Sequence, residues 1–301
     1  TVDPEGVALL TSAFGTDNQI ICESTSIQDI TYLLTEGATG ATITGLPPGV
    51  NFNVNAGIAT IFGTPTVDVT AQTVYNYTLT TTGSLCTGTS TGTITINPDG
   101  DLVQTSALGT ESQVLCEGEA LVNITYLFSG GATGAIVTGL PNGVAFVVNG
   151  NQITISGTPT DNITTPAFYP YDVVTSGGGC INATLSGTIT VDPEGVALLT
   201  SAFGTDNQII CESTSIQDIT YLLTEGATGA TITGLPPGVN FNVNAGIATI
   251  FGTPTVDVTA QTVYNYTLTT TGSLCTGTST GTITINPDGD LVQTSALGTE
   301  S

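Results

Sequence analysis

The segment GLPPGVNFNVNAGIATIFGTPT, residues 45–66, decides the fold because it encodes a β-hairpin between two turns rich in glycine and proline. Its apolar side chains recur at every second position, which is the period of a half-buried strand. Asn55-Ala56-Gly57, midway along the segment, is typical of a hairpin turn. A variant, GLPNGVAFVVNGNQITISGTPT, returns at residues 139–160. The segment therefore predicts an antiparallel, all-β chain that uses one hairpin repeatedly.

Further short strands with the same two-residue period surround this hairpin, and helical patterning of useful length is absent. In the first 97 residues the predicted strands are centred on Ile20 and Cys22, Ile30 to Leu34, Ile43, Phe52 and Val54, Ala59 and Ile61, Tyr75 to Leu79, and Ile94 and Ile96. About seven strands in about 94 residues, with turns every 8 to 12 residues, fit an immunoglobulin-type antiparallel sandwich. We therefore predict tandem immunoglobulin-like domains.

The chain is an array of repeats. Residues 1–112 recur letter for letter as residues 190–301, and within that unit Pro4–Asn97 aligns with Pro98–Asp192. Verbatim copying adds nothing to a catalytic site, whereas a stalk gains length with every copy. We predict these units: residues 1–3, the tail of a preceding repeat B; 4–97, repeat A; 98–192, repeat B; 193–286, a second repeat A; and 287–301, the first strand of another repeat B.

The charge of the chain excludes two classes of partner. It has no Lys, Arg or His and carries 24 Asp and Glu residues, so every ionised side chain is negative. Nucleic-acid binding depends on cationic side chains that neutralise phosphates, and attraction to anionic membranes depends on them as well. With no uninterrupted run of 18 apolar residues, direct membrane insertion is not expected either. The apolar content of 39% nevertheless predicts folded domains.

The six cysteines form three pairs, one in each predicted repeat, and the members of each pair are 64 positions apart. This spacing predicts one intradomain disulfide per domain, formed in an oxidising compartment. The predicted pairs are Cys22 with Cys86, Cys116 with Cys180, and Cys211 with Cys275. A zinc site and a buried free thiol are the alternatives, although zinc normally takes four nitrogen or sulfur ligands and each repeat offers two sulfurs and no imidazole.

The hairpin segment and its variant resemble the immunoglobulin-like and cadherin-like repeats of bacterial surface proteins. The wider pattern of CE, ITYL, GATGA, TGLP, GTPT, a Cys and then TGTIT or SGTIT resembles the repeat region of the SprB-like gliding-motility adhesins of Bacteroidota. The resemblance covers essentially the whole chain. Two hallmarks of antibody domains are missing, because the chain has no Trp and has no Tyr two residues before Cys86. Only the broad sandwich carries over.

The resemblance implies a non-enzymatic structural stalk of a long extracellular filament on the bacterial cell surface. Its implied roles are cell adhesion and gliding motility, with export by the type IX secretion system. The implied partners are neighbouring repeats of the same chain, a surface polysaccharide or the substratum, and, through other regions, the motility machinery. A lectin-like or partner-binding module displayed in tandem is the alternative function.

The joints between repeats are the candidate metal sites. They read TITINPDGD at residues 93–101 and TITVDPEGV at residues 188–196, and oxygens clustered there could hold calcium. The principal candidate ligands are Asp99, Asp101, Asp192 and Glu194. Because the second joint offers only two carboxylates and no EF-hand spacing appears, a solvated proline–glycine turn is the favoured interpretation. We therefore expect no required cofactor.

Two further features have a structural and a functional interpretation. Tyr75 with Tyr77, and Tyr169 with Tyr171, could form a platform on which a sugar stacks, but their spacing of two residues also puts each pair on one face of a sheet, where core packing is favoured. An enzyme would have to work without Lys, Arg or His, which leaves paired carboxylates as its main catalytic option. The acidic residues stand singly or at joints, so no catalytic residues are predicted.

Overall fold

The computed structural model describes residues 4–178 and 180–289, and in this part of the chain all regular structure is β-strand. The first module, by which we mean strands β1 to β8, comprises β1 Val7–Leu10, β2 Asn18–Cys22, β3 Ile30–Thr35, β4 Gly40–Thr44, β5 Val50–Asn55, β6 Ile58–Gly63, β7 Thr73–Thr82 and β8 Thr89–Asn97. The predicted tail at residues 1–3, and residues 290–301 of the predicted last strand, lie outside the described residues.

Two further modules repeat this order of strands. The second module comprises β9 Gly100–Gln104, β10 Ser112–Cys116, β11 Ile124–Gly130, β12 Gly134–Thr138, β13 Val144–Asn149, β14 Gln152–Gly157, β15 Ala167–Ser176 and β16 Thr184–Asp192. The third comprises β17 Val196–Leu199, β18 Asn207–Cys211, β19 Ile219–Thr224, β20 Gly229–Thr233, β21 Val239–Asn244, β22 Ile247–Gly252, β23 Thr262–Thr271 and β24 Thr278–Asn286.

Each module is a sandwich of two four-stranded sheets. In the first module the sheets have the orders β1-β3-β6-β5 and β2-β8-β7-β4, and the other two modules have equivalent orders. All pairings are antiparallel except that of β2 with β8, and its equivalents β10 with β16 and β18 with β24, which are parallel. The fold is therefore all-β, in tandem immunoglobulin-like sandwiches, as the strand pattern predicted.

The core of each module lies between its two sheets and is filled by alternate side chains of the strands. Ile30, Ile61 and Ile94 are fully buried in the first module, and Ile124, Ile155 and Ile189 occupy the same place in the second. Intervening positions face outward, so the two-residue period of the sequence is the period of burial. Each module forms a separate hydrophobic cluster from residues of its own strands and loops.

The structure has eight strands in each module where the sequence predicted about seven. The strands that the strand pattern did not predict are the first of each module, β1, β9 and β17, which pair with β3, β11 and β19. The sequence VALL of β1 does not alternate apolar with polar residues, and Val7 and Leu9 are exposed. Ala8 and Leu10 do pack against the core, but because all four residues of β1 are apolar, the two-residue period of hydrophobicity does not reveal the strand.

The two glycine- and proline-rich turns of the deciding segment pack against each other. Thr66 donates its backbone N–H to the carbonyl of Pro48 at 2.9 Å, which closes the contact between the turns. Gly49 lies between them with φ of 88°, and a Cβ on it would come within 2.3 Å of the Thr64 carbonyl oxygen. Gly57, in the hairpin turn, also has positive φ, 78°, but a Cβ there would meet open space.

A pair of tyrosines links the two sheets inside every module. The hydroxyls of Tyr32 and Tyr77 hydrogen-bond at 2.9 Å, and the Tyr77 hydroxyl also contacts the carbonyl of Asp17 at 3.3 Å. Burial raises the pKa of both phenols above the ordinary value of 10.0, and for Tyr77 the hydrogen bond with Tyr32 raises it further. The equivalent pairs are Tyr126 with Tyr171 and Tyr221 with Tyr266.

Replacing Gly49 and its copy Gly238 with alanine should destabilise the first and third modules by about 3 kcal/mol each, because left-handed backbone strain adds to a backbone clash. The double variant Gly57→Ala, Gly246→Ala is the matched control and should cost about 1 kcal/mol per site, from strain alone. Urea denaturation measures both. Equal losses in the two variants would show that the contact between the turns contributes nothing.

The buried tyrosines should make the protein sensitive to alkali. Unfolded tyrosine loses its proton near pH 10, whereas the pKa of the folded pairs is higher. The free energy of unfolding should therefore be constant from pH 8 to about pH 10 and fall as the pH rises further. Urea denaturation from pH 8 to 11.5, with free thiols alkylated, measures this.

The control for this prediction is a variant with phenylalanine at all six paired tyrosines. It should be less stable at pH 8, by about 1 kcal/mol for each lost hydrogen bond, and its decline above pH 10 should be shallower. An equally steep decline would assign the alkaline loss to other groups.

Candidate functional site at the joints between modules

The joints between modules are short, and both contain a proline followed by an acidic residue. Pro98 and Asp99 connect β8 to β9, and Pro193, Glu194 and Gly195 connect β16 to β17. Pro98 and Pro193 are buried. Each joint also brings together two cysteines from the modules on either side.

A disulfide between Cys22 and Cys180 closes the first joint. Cys22 ends β2 of the first module, whereas Cys180 lies in the segment between β15 and β16 of the second, 158 positions later. Their Cα atoms are 5.6 Å apart, within the usual range for a disulfide. The Cys180 sulfur lies 3.8 Å from the carbonyl oxygen of Asn97, the last residue of the first module's sandwich.

The second joint is closed in the same way, by Cys116 and Cys275. These residues are 159 positions apart, with Cα atoms 5.5 Å apart, and they connect the end of β10 to the segment between β23 and β24. Cys275 is only 2% exposed. The remaining two cysteines of the described chain, Cys86 and Cys211, are free thiols, and both are exposed.

The predicted intradomain pairing is therefore wrong for all three pairs, Cys22 with Cys86, Cys116 with Cys180 and Cys211 with Cys275. The physical reason is the parallel pairing of β2 with β8. That pairing puts Cys22 opposite Asn97, at the far end of β8, whereas Cys86 precedes the start of β8 at Thr89. A strand of nine residues spans about 26 Å, and disulfide Cα atoms lie no more than about 7 Å apart.

Regular spacing alone could not distinguish the two pairings. The separations of 158 and 159 positions are as regular as the separation of 64, because every module carries both cysteines at equivalent places. One signal could have decided between the two pairings. The first cysteine of each module ends a strand, β2 in the first module, that runs parallel to the last strand of the module, β8. Recognising β2 as that strand would have placed the two cysteines at opposite ends of a module.

The segment that carries the second cysteine is held to the start of its module by backbone hydrogen bonds. Gly100 donates to the carbonyl of Ile181 at 2.8 Å, and Gly195 donates to the carbonyl of Cys275 at 3.0 Å. Gly6 donates to Cys86 at 2.8 Å in the first module. Each module therefore presents one cysteine at its beginning and one at its end.

A glutamate next to the first cysteine ties the joint to the sandwich. The Glu23 carboxylate accepts a hydrogen bond from the backbone N–H of Val69 through one oxygen, and one of 3.3 Å from the N–H of Asp99 through the other. The backbone N–H of Glu23 donates to Asn97 at 3.1 Å. The CE motif of the sequence thus combines a covalent and a hydrogen-bonded contact at one place.

The calcium candidates lie at or next to the joints, and the carboxylate of one of them, Asp99, is engaged by a backbone N–H. The Asp99 carboxylate accepts a hydrogen bond of 3.1 Å from the backbone N–H of Ile181. Asp101 lies in β9 and Asp192 ends β16, while Glu194 pairs as an isolated bridge with Cys275. Within residues 4–178 and 180–289, the acidic, cysteine and histidine side chains form no group of three or more that could hold a metal ion.

The tyrosines suggested as a sugar platform belong to the core side of their sheet. Tyr77 and Tyr171 are each 1% exposed, and Tyr75 and Tyr169 are partly buried and pack against the same hydrophobic clusters. Core packing, the favoured interpretation of their spacing, is what the structure shows.

A polar groove that sequence reasoning missed lies on the outer face of the other sheet, next to β5 and β6. Its volume is about 400 Å³ in the first module and about 440 Å³ in the third. In the first module it is lined by Asp29, Asn53, Asn55, Ile58, Thr60 and Phe62. Outward-facing side chains of two adjacent strands form such a groove, and the alternation of NFNVN was the signal that could have located it.

Comparisons with known proteins support no statement beyond the fold. No protein-family model matches the chain, and no curated protein matches it. Mouse cadherin-23 EC22-24 is similar over 94% of this chain and 99% of that chain, with 12% identity and a TM-score of 0.41. The N-terminal eight Ig domains of Down Syndrome Cell Adhesion Molecule are similar over 93% of this chain and 37% of that chain, with 10% identity and a TM-score of 0.41.

In the described residues, no helix is long and apolar enough to cross a membrane.

Counting thiols distinguishes the interdomain pairing from the intradomain one. Alkylation of the unfolded, unreduced protein should add two groups, at Cys86 and Cys211, whereas intradomain pairing would leave no thiol. Cys180→Ser should expose Cys22 and raise the count to three, and the matched control Cys86→Ser should lower it to one. Mass spectrometry of peptic peptides should show Cys22 joined to Cys180, and a peptide joining Cys22 to Cys86 would refute the assignment.

Proposed function

We propose that this chain is the structural stalk of an extracellular surface filament, built of modules in series. The observation that carries the proposal is that both joints are closed by disulfides between neighbouring modules. In the chain-entropy model a disulfide that closes a loop of this length restricts the unfolded chain by about 5 kcal/mol. Such bonds persist outside the cell, where conditions are oxidising.

A stalk that bears tension has to resist lengthening, and these disulfides supply that resistance. If the modules between Cys22 and Cys180 unfolded under load, the chain inside the bridge could not extend. That segment would otherwise lengthen by up to about 500 Å, at about 3.4 Å per residue. An intradomain bridge would have kept only the shorter segment inside one module from extending. The observed pairing therefore strengthens the case for a role under tension.

The finer parts of the proposal follow from the repeated sequence and its resemblance. We assign the module boundaries to residues 4–97, 98–192 and 193–286, which each enclose a pair of sheets. Following the resemblance to SprB-like repeats, we place the filament on the bacterial cell surface, as a non-enzymatic adhesin component exported by the type IX system and used in gliding. Contact with a substratum or surface polysaccharide would be made along the stalk or at its end.

The groove beside β5 and β6 favours a second candidate function, a carbohydrate-binding module displayed in series. Asp29, Asn53 and Asn55 provide the hydrogen-bonding groups that a sugar needs, and Phe62 provides an apolar surface. The same six residue types line the groove of the third module, whereas the second module has Val147 and Ser156 at the positions of Asn53 and Phe62. A lectin of this kind would therefore have two sites in the chain.

A stalk should gain equal length with each added unit. Because residues 1–112 equal residues 190–301, appending residues 113–301 after Ser301 continues the array without a break. Electron microscopy of the original and lengthened chains should show threads that grow by roughly 80 Å per added pair of modules, since strands of nine or ten residues span about 30 Å and turns add the rest. Compact particles without such growth would contradict the proposal.

Calorimetric titration with soluble surface polysaccharides separates the two functions. A stalk should show no binding that saturates at a fixed number of equivalents per chain, because contacts made along it would be weak and multivalent. The lectin should bind two equivalents per chain, and Asn55→Ala with Asn244→Ala should abolish that binding. Asn149→Ala, at the equivalent position of the second module, is the matched control and should leave the binding unchanged.

A further inference from the structure

We propose that the faces bearing Cys86 and Cys211 are docking faces for further modules of the second kind, each closed by a disulfide like the two that the structure shows. The inference names the partner of the joints and in that respect rests on the proposed function. The two free thiols are thus halves of interdomain bridges at the two ends of the described array.

The first support is that identical residues are already bonded elsewhere in the same molecule. Cys211 lies in NQIICEST at residues 207–214, which repeats residues 18–25 letter for letter, and Cys22 of that earlier copy is bonded to Cys180. Cys86 and Cys275 are likewise copies in the identical segment GSLCTGTS, and Cys275 is bonded to Cys116. Each free thiol therefore has a local sequence and a strand environment that form a bridge when a neighbouring module is present.

The second support is a difference in burial between these identical residues. Cys86 is exposed, whereas Cys275, with the second module seated beside it, is 2% exposed. Pro4 is exposed, whereas its copy Pro193 is buried. Leu85 is 84% exposed and its copy Leu274 is 65% exposed. At the other end Cys211 is exposed, while Cys22 is partly buried. The faces at both ends thus match faces that a neighbour covers.

The sequence identifies the occupant as a module of the second kind. Residues 287–301, which follow the third module, repeat residues 98–112 letter for letter. A completed module there would carry a cysteine equivalent to Cys180. That cysteine would lie next to Cys211, as Cys180 lies next to Cys22. The face with Cys86 is a copy of the face with Cys275, which is bonded to Cys116 of the second module. It therefore takes another module of that kind, and the cysteine equivalent to Cys116 in that module would bond to Cys86.

Closing each bridge is a two-electron oxidation, and oxidised glutathione can serve as the oxidant. The Cys211 thiolate attacks one glutathione sulfur and forms a mixed disulfide, releasing one reduced glutathione. The thiolate of the partner cysteine then displaces the second glutathione, and the protein disulfide forms. Two protein thiols are oxidised, and the glutathione disulfide is reduced to two thiols.

With every joint closed, two covalent paths would run along the array. One passes from Cys22 across the bridge to Cys180 and then along about 30 residues to Cys211; the other passes from Cys86 to Cys116 and across to Cys275. Each path contains only about 30 backbone residues for every two modules, or roughly 100 Å when extended, against roughly 640 Å for the 189 residues of an unbridged pair. The filament would be nearly inextensible.

The test is to complete the fourth module by appending residues 113–192 after Ser301, and to oxidise the protein with a glutathione buffer. Non-reducing mass spectrometry of peptic peptides should show Cys211 joined to the added counterpart of Cys180, and the alkylated Cys211 peptide should disappear. The matched control replaces that added cysteine with serine. It should return Cys211 to the alkylated pool and leave Cys22 joined to Cys180.

A second extension keeps the test decisive if the appended module does not fold. Placing residues 98–189 before Thr1 adds a complete preceding module, and Cys86 should then join its counterpart of Cys116. Free Cys86 or Cys211 in a folded, extended protein, or a bridge from Cys211 to Cys275, would overturn the inference. Thiol mapping tests the docking faces alone, whereas thread length tests the stalk, so failure of one is distinguishable from failure of the other.

Discussion

The parallel pairing of β2 with β8 is the constraint on which the architecture depends. Every other pairing in the sandwich is antiparallel, and this one directs a short strand toward the end of the module. Cys22 thereby comes to lie beside Asn97, where the next module begins. Because the second cysteine is held at the start of its own module, the two sulfurs that come within bonding distance belong to neighbours. The backbone hydrogen bonds that make β2 parallel to β8 thus determine which cysteines form disulfides.

The contacts around that pairing make the joint a defined structure. Glu23 holds the backbone of Asp99 to the sandwich through its carboxylate, and the buried Pro98 has no backbone N–H that would need a partner. The tyrosine pair then fixes the two sheets of each module relative to one another. Forces applied at a joint are therefore transmitted to both sheets, through hydrogen bonds as well as through the disulfide.

Sequence alone predicted the parts of the fold that depend on alternation and on turn chemistry. The strands around Ile30, Ile61 and Ile94 were found because their apolar side chains recur at every second residue and fill the core. The strand at Val7–Leu10 was missed because its outward-facing residues, Val7 and Leu9, are as apolar as the two that face the core, so its sequence does not alternate. The cysteine pairing was wrong because spacing along a repeat is the same whether a bridge closes one module or joins two. The intradomain and interdomain pairings differ only in the direction in which β2 runs relative to β8. The period of apolar residues in a sequence does not show whether two strands are parallel or antiparallel.

The overlap of the two bridges has a consequence for damage to the chain. The loop from Cys22 to Cys180 and the loop from Cys116 to Cys275 share residues 116–180. Hydrolysis of any single peptide bond between Cys22 and Cys275 therefore leaves both fragments attached through at least one sulfur–sulfur bond. A polypeptide normally fails wherever one bond is cut, but this one tolerates a nick at a joint or within a module and remains a single covalent molecule.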